Sequence, residues 1–266
     1  MKTQTPPSRC RILGVDVAMV NVRRALDEVA GFVARRETRY VCFSDVHSIM
    51  RAQEDPAHKA ALAGADLVMP DGQPLAWTGR LRGHAGVERV CGPDFLGAFC
   101  RETAAQGWAH YFYGGADGVA QALAERLRAE TPGLVVAGAE TPPFRALSEV
   151  ERAWTLARIR DSGARVLWVG LGCPKQEKWL HENSAELEGI VCLGVGAAFD
   201  FATGRVRRAP FVMRRLGLEW LHRLLSEPRR LWRRYLVLAP RFVIATLVES
   251  RAGPAAIPPA DPRTSG

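Results

Sequence analysis

Short apolar runs alternate along the chain with longer stretches whose apolar residues recur three and four positions apart. Tyr40–Ser44, Asp66–Pro70, His110–Tyr113, Val135–Ala139, Val166–Leu171 and Ile190–Val195 are such runs, each of strand length. Continuous apolar runs suit strands covered on both faces. Arg11–Val17 reads as a first short strand. Asn21 caps a helix to about Arg36, with Val22, Ala25, Leu26 and Val29 on one face. Helices follow over Val46–Gln53, Pro56–Ala63, Gln73–Arg82, Pro93–Gln106 and Gly118–Glu130. Another runs from Ser148 to about Ser162, opened by a capping box with Glu151. Strands alternating with helices of this length predict βαβ units, right-handed crossovers and an α/β fold with a mostly parallel sheet.

In such a sheet ligands bind beyond the carboxyl ends of the strands. The polar residues expected there are Ser44 and Asp45, Asp71 and Gly72, Gly114 and Gly115, Gly172 to Gln176, and Gly196 to Asp200. Nucleotide binding is the first inference from that crowded edge. Val166–Glu177 is its centre: a buried strand, glycines at 170 and 172, Pro174 where a helix begins, then Lys175 and Gln176. Free N–H groups and the helix dipole make such a turn an anion site. The plainer alternative is an ordinary strand-to-helix turn with a solvated helix start.

Composition narrows the class. The 266 residues suffice for one large core and an appendage, and 47% apolar with 24% charged residues is ordinary for a globular protein. The net charge of +8 lies largely after Gly204 and so describes one segment. Six cysteines form no Cys-x-x-Cys pair, so we expect a reduced compartment with neither disulfides nor a zinc site. Cys42 and Cys192 read as small core residues and Cys173 as a spacer in its turn. No stretch reaches the roughly 20 apolar residues of a membrane span. A lone His47 after the second strand reads as structural rather than catalytic.

Several nucleotide motifs are missing. Gly170-x-Gly172 and Gly194-x-Gly196 lack the third glycine of the dinucleotide fingerprint, which disfavours a dehydrogenase. There is no Gly-x-x-x-x-Gly-Lys loop and no Asp-x-Asp pair to hold a metal at a sugar nucleotide. A metal-free site must neutralise a diphosphate with Arg, Lys and backbone N–H groups.

Ala65–Gly72, Glu88-Arg89-Val90 with Gly92 and Asp94, Gly170–Glu177, Gly194-Val195-Gly196 with Phe199-Asp200, Arg208-Ala209-Pro210, Leu216–Leu221, Arg223 and Glu227-Pro228 together resemble the WecG/TagA/CpsF family of bacterial glycosyltransferases. The resemblance runs from about Arg11 to Val248. It implies a Rossmann-like core and transfer of a sugar from a UDP-sugar to a polyprenyl-diphosphate-linked acceptor, with inversion and without a metal cofactor. That chemistry belongs to teichoic acid, common antigen and exopolysaccharide assembly. By the resemblance, Asp71 is the catalytic base and Arg89 acts near the acceptor diphosphate; the alternatives are an Asp-Gly helix cap and a surface pair with Glu88. Gln176 and Asp200 match donor-site residues, and Asp45, Gly114, Gly172 and Lys175 belong to the same donor edge. In the tail, Arg208, Arg214 and Arg223 are expected to hold diphosphate. Where the family often shows Thr-x-Asn, this chain has Phe43-Ser44-Asp45; if that Asn reads the donor sugar, Asp45 offers acceptors only, which weakens an N-acetylmannosamine assignment and makes a hexose donor such as UDP-glucose an option.

The expected organisation is a catalytic core over 1–204, a basic amphipathic helical appendage over 205–250 and a disordered tail over 251–266. Trp220, Leu221, Leu224 and Leu225, then Leu231, Trp232, Tyr235 and Leu236, form apolar stripes, with Arg229, Arg230, Arg233 and Arg234 set apart from the second. Basic helices of this kind suit an anionic membrane surface, which places the protein peripherally on the inner face of the cell membrane. Packing of the hairpin on the core is the alternative; nucleic acid is disfavoured because no binding module is present. A non-catalytic nucleotide-sugar sensor or membrane scaffold on the same fold remains the rival function. The oligomeric state is left open, a homo-oligomer included.

Overall fold

The computed structural model describes residues 5–204, 209–210, 213 and 219–251. Among these, six parallel strands form one sheet in the order β4-β3-β8-β7-β5-β6. They are β3 (Arg39–Ser44), β4 (Leu67–Pro70), β5 (Ala109–Gly114), β6 (Val135–Glu140), β7 (Val166–Gly170) and β8 (Val191–Gly194). The period-two pattern explains why both faces are covered. In β3, Val41 and Phe43 enter one apolar core while Tyr40 and Cys42 enter the other. In β7, Val166 and Trp168 face the first and Leu167 and Val169 the second.

Helices α1 (Val22–Ala34), α5 (Gly92–Thr103) and α6 (Val119–Glu130) contribute to the first core, and α2 (Val46–Ala52), α3 (Pro56–Ala63), α7 (Glu149–Asp161) and α8 (Lys175–Asn183) to the second. Helix α4 (Gln73–Leu81) follows β4, and the short α9 (Ala198–Ala202) follows β8. Asn21 caps α1 and the Ser148–Glu151 capping box opens α7, as the sequence predicts.

The first strand is the point of difference. Arg9–Ile12 (β1) and Val15–Ala18 (β2) form an antiparallel hairpin rather than one strand. Leu13 and Gly14 both take positive φ, 48° and 78°, as a tight two-residue turn matching strand twist demands.

The C-terminal segment contains α10 (Glu219–Ser226), α11 (Pro228–Trp232), a π-helical stretch over Arg233–Leu238 and α12 (Ala239–Arg251). Pro240 has no N–H to continue an α-helical ladder, and the wider turns lie just before it. This segment packs on the core. Phe242 is buried, Glu249 pairs with Arg82 at 2.8 Å, and Glu249 also accepts from the Leu13 N–H at 3.1 Å. Among the described residues, no helix is long and apolar enough to cross a membrane.

Candidate active site

All six strands run the same way, so their carboxyl ends form one edge. Asp71 leaves β4 there, its N–H donating to Ser44 O of β3 at 2.9 Å. Gly72, not Asp71, stands at the cap of α4, and no side chain bonds that helix start. The Asp71 carboxylate is therefore free of the capping role that an Asp-Gly pair allows. Its side chain is 24% exposed.

Arg89 grips this corner. Its Nε donates to Asp71 O at 2.8 Å, and its Nη2 lies 3.8 Å from Asp71 Oδ1. The same Nη2 donates to Glu219 Oε2 at 2.9 Å and to Cys91 Sγ at 3.2 Å. Its partners are thus buried groups of the site rather than the neighbouring Glu88. Burial works against the Arg89 charge, but Cys91, Asp71 and Glu219 more than offset it and hold the proton more tightly than usual. Burial, helped by the negative charge of Asp45, pushes Asp71 up to about 6 against the pull of Arg89, the Cys91 thiol and the Gly92 N–H. A carboxylate that ionises near neutrality is suited to general base work.

Asp45 adjoins Asp71, since a Cβ added at Gly72 would lie 3.5 Å from the Asp45 Cβ. Asp45 caps α2 by accepting from Ser48 N at 3.1 Å, and its other oxygen pairs with Arg234 from the C-terminal segment. Burial opposes its charge, yet Arg234, the Ser48 N–H and His47 hold it down to about 2. Arg234 therefore belongs to the site, not to the membrane-facing cluster in which the sequence pattern groups it.

The central turn is braced from below. Gly172 takes φ 77° with open space around it, and Gly114 approaches β7 so closely that a Cβ would lie 2.6 Å from the Gly170 carbonyl. Gln176 is buried, 2% exposed. Its Nε2 donates to Gly194 O at 3.2 Å and to Glu177 Oε1 at 2.9 Å, while Oε1 accepts from Gly196 N at 2.8 Å. These bonds tie the β7–α8 turn to the β8–α9 turn, so Gln176 shapes the glycine edge. Lys175 is exposed, its Nζ 4.7 Å from the centre of the Phe144 ring.

Asp200 sits half-buried on α9. Beside it, the Arg223 guanidinium of α10 lies 5.3 Å over the Phe201 ring. Arg208 and Arg214 fall outside the described residues. The structure thus gathers Asp45, Asp71, Arg89, Gly114, Gly172, Lys175, Gln176, Asp200 and Arg223 along one edge. Glu219, Arg234 and Cys91 are additions. Glu219 stands inside a matched motif, which was its one sequence signal, whereas Cys91 looks like any core cysteine.

Comparison with known proteins agrees with this geometry. The model of the glycosyl transferase WecG/TagA/CpsF family matches residues 10–255. The chain is 30% identical over 233 residues to the N-acetylglucosaminyldiphosphoundecaprenol N-acetyl-beta-D-mannosaminyltransferase of Bacillus spizizenii strain W23, covering 85% of this chain and 88% of that protein.

Proposed function

The chain belongs to the WecG/TagA/CpsF family of glycosyltransferases, and from that premise we propose that it moves a sugar from a UDP-sugar to a polyprenyl-diphosphate-linked saccharide, with inversion, in cell-surface polysaccharide synthesis. The observation that carries the mechanism is the Asp71 carboxylate, poised near neutrality, uncommitted to its helix and beside Arg89. Asp71 takes the proton of the acceptor hydroxyl as that oxygen attacks the anomeric carbon from the face opposite the departing UDP. The bond to UDP breaks as the new glycosidic bond forms. Arg89, 3.8 Å from Asp71, reaches phosphate oxygens near the same centre.

The leaving diphosphate meets the glycine edge between Gly114 and Gly172, the start of α8 and Lys175. Arg223 adds charge from α10. No divalent cation is needed in this scheme. The donor sugar is read on the β3 side, where Asp45 stands in place of the amide expected from the family. Arg234 shares that carboxylate, so this corner offers an acceptor and a guanidinium donor to sugar hydroxyls. The relative is named for N-acetylmannosamine, and with Asp45 in place of the amide a hexose donor such as UDP-glucose stands beside it as the other candidate.

The lipid acceptor brings the reaction to the inner face of the membrane. Val243, Ile244, Leu247 and Val248 are all exposed along one side of α12, with Trp220, Trp232 and Leu236 exposed earlier in the segment. Arg229 and Arg233 are exposed beside them. Apolar residues entering the interface and arginines meeting lipid phosphates dock the protein peripherally.

The test is transfer itself: full-length protein, a panel of UDP-sugars and a short-chain polyprenyl-diphosphate N-acetylglucosamine acceptor, with and without EDTA. UDP release and a disaccharide product are expected with at least one donor, and both survive in chelator. Activity that vanishes in EDTA and returns with magnesium or manganese contradicts the metal-free scheme.

A further inference from the structure

Beneath the central turn lies a second polar cluster that sugar transfer does not use. His58 comes from α3, Cys173 from the turn and Glu177 from the first turn of α8. One ligand atom of each lies within 4.8 Å of the other two. His58 and Glu177 are fully buried, and Cys173 is half-buried. The elements that carry them are fastened together: Asp55 caps α3 through His58 N at 3.1 Å and pairs with Lys178 of α8 at 2.7 Å.

Each side chain is also held in place. His58 Nε2 lies 3.1 Å from Ser48 Oγ and 3.2 Å from Ser48 O. Glu177 Oε1 accepts from Gln176 Nε2 at 2.9 Å. One buried atom of the cluster is left over: Glu177 Oε2 has no partner in hydrogen-bonding geometry among the described residues. A buried carboxylate oxygen without a partner costs about 1–3 kcal/mol and calls for an explanation, of which an ion is one.

We propose that His58, Cys173 and Glu177 form a binding site for a borderline-soft divalent cation of the zinc type. Imidazole, thiolate and carboxylate are the ligand types zinc takes, whereas magnesium and calcium ask for oxygen alone. Cys173 Sγ lies 3.8 Å from His58 Nε2. Two ligands at about 2.0–2.3 Å from one tetrahedral ion stand roughly 3.5 Å apart, so a small inward shift closes the site. Gln176 supplies the outer hydrogen bond that orients the carboxylate, while His58 Nε2, the nitrogen facing Cys173, would exchange its contacts with Ser48 for the ion. Cys173 is partly exposed and provides the way in.

The proton balance follows from the ligands. Burial keeps the His58 imidazole neutral, so it offers a lone pair without losing a proton. Burial pushes the Cys173 thiol up and Glu177 up to about 7. Zinc takes cysteine as the thiolate, so loading the site displaces the Cys173 thiol proton. The other charges facing the cluster are Asp45 and Arg234 above it, and Asp55, Lys178 and Arg51 around His58. The ion would tie α3 to the turn carrying Gly172 and Gln176, apart from Asp71 and Arg89. Cysteine spacing predicts no zinc site, and it carries no sign of this cluster because the three residues come from separate elements.

Cobalt titration of the full chain, stripped by a chelator and exchanged out of it, tests the site. We expect a single equivalent to bind with a thiolate-to-cobalt charge-transfer band that zinc competes away. Cys173→Ser abolishes the band, Cys10→Ser keeps it, and Glu177→Gln weakens affinity about tenfold or more. In the unmodified chain, zinc slows alkylation of Cys173, read by mass spectrometry. Absence of the band from the native protein, its persistence in Cys173→Ser, or alkylation of Cys173 indifferent to zinc would each overturn the proposal.

Discussion

Asp71 ionises near neutrality because its surroundings pull in opposite directions. Burial and Asp45 favour the proton, while Arg89, the Cys91 thiol and the Gly92 N–H favour the charge. Cys91 is the adjustable member, since it accepts from Arg89 at 3.2 Å and its S–H assists the carboxylate. Below about pH 6 the base is protonated and the transfer rate should fall with decreasing pH. Cys91→Ala removes a donor that favours the ionised form, so the acid limb should move to higher pH. One hydrogen bond of ordinary strength corresponds to about 0.5–1 unit. Cys91→Ser keeps a donor and should leave the limb near its original place. A limb that stays put in Cys91→Ala shows that the thiol does not act on Asp71. The position of Asp71 at a strand end was readable from sequence. The role of Cys91 was not, because a cysteine flanked by Val90 and Gly92 carries no mark of its partner.

At the scale of elements, the sheet order makes a site of five separate strand ends. The strands were legible because apolar runs buried on both faces lack the alternation of a half-exposed strand. The hairpin of β1 and β2 was not, because the turn residues Leu13 and Gly14 sit inside an apolar run and only the positive φ of both reveals the reversal. Gln176 shows the same limit. Its motif marked it for the donor, yet its amide is spent joining the β7–α8 and β8–α9 turns. Gln176→Ala should therefore act through the scaffold. Leaving the Gly196 N–H and Gly194 carbonyl without partners costs about 1–3 kcal/mol each. We expect a lower melting temperature and weaker UDP-sugar binding together, by calorimetry and ligand titration. Weakened binding at unchanged stability would instead mean that Gln176 touches the donor directly.

For the whole molecule, the C-terminal segment packs on the core, and in the proposed function it also meets the membrane. Glu219 reaches Arg89 and Arg234 reaches Asp45, contacts that no local pattern encodes because their partners lie 130 and 189 residues away in the chain. Amphipathic helices were legible, but which arginine turns inward was not. The two roles separate by mutation. Replacing Val243, Ile244, Leu247 and Val248 with Ser should abolish sedimentation with anionic liposomes. Arg229→Gln with Arg233→Gln should weaken it by about 1 kcal/mol per charge at low salt, with no loss at high salt. Arg234→Gln should leave liposome binding intact and lower transfer to a soluble short-chain acceptor. Equal liposome binding by all these proteins would make the segment packing alone. One carboxylate carries the proposed chemistry, and the most direct measurement compares Asp71→Asn with the native chain in the transfer assay, with UDP binding followed in parallel. If Asp71 is the base, transfer falls by about 10²–10⁴-fold at unchanged UDP affinity. Turnover near that of the native protein would contradict it.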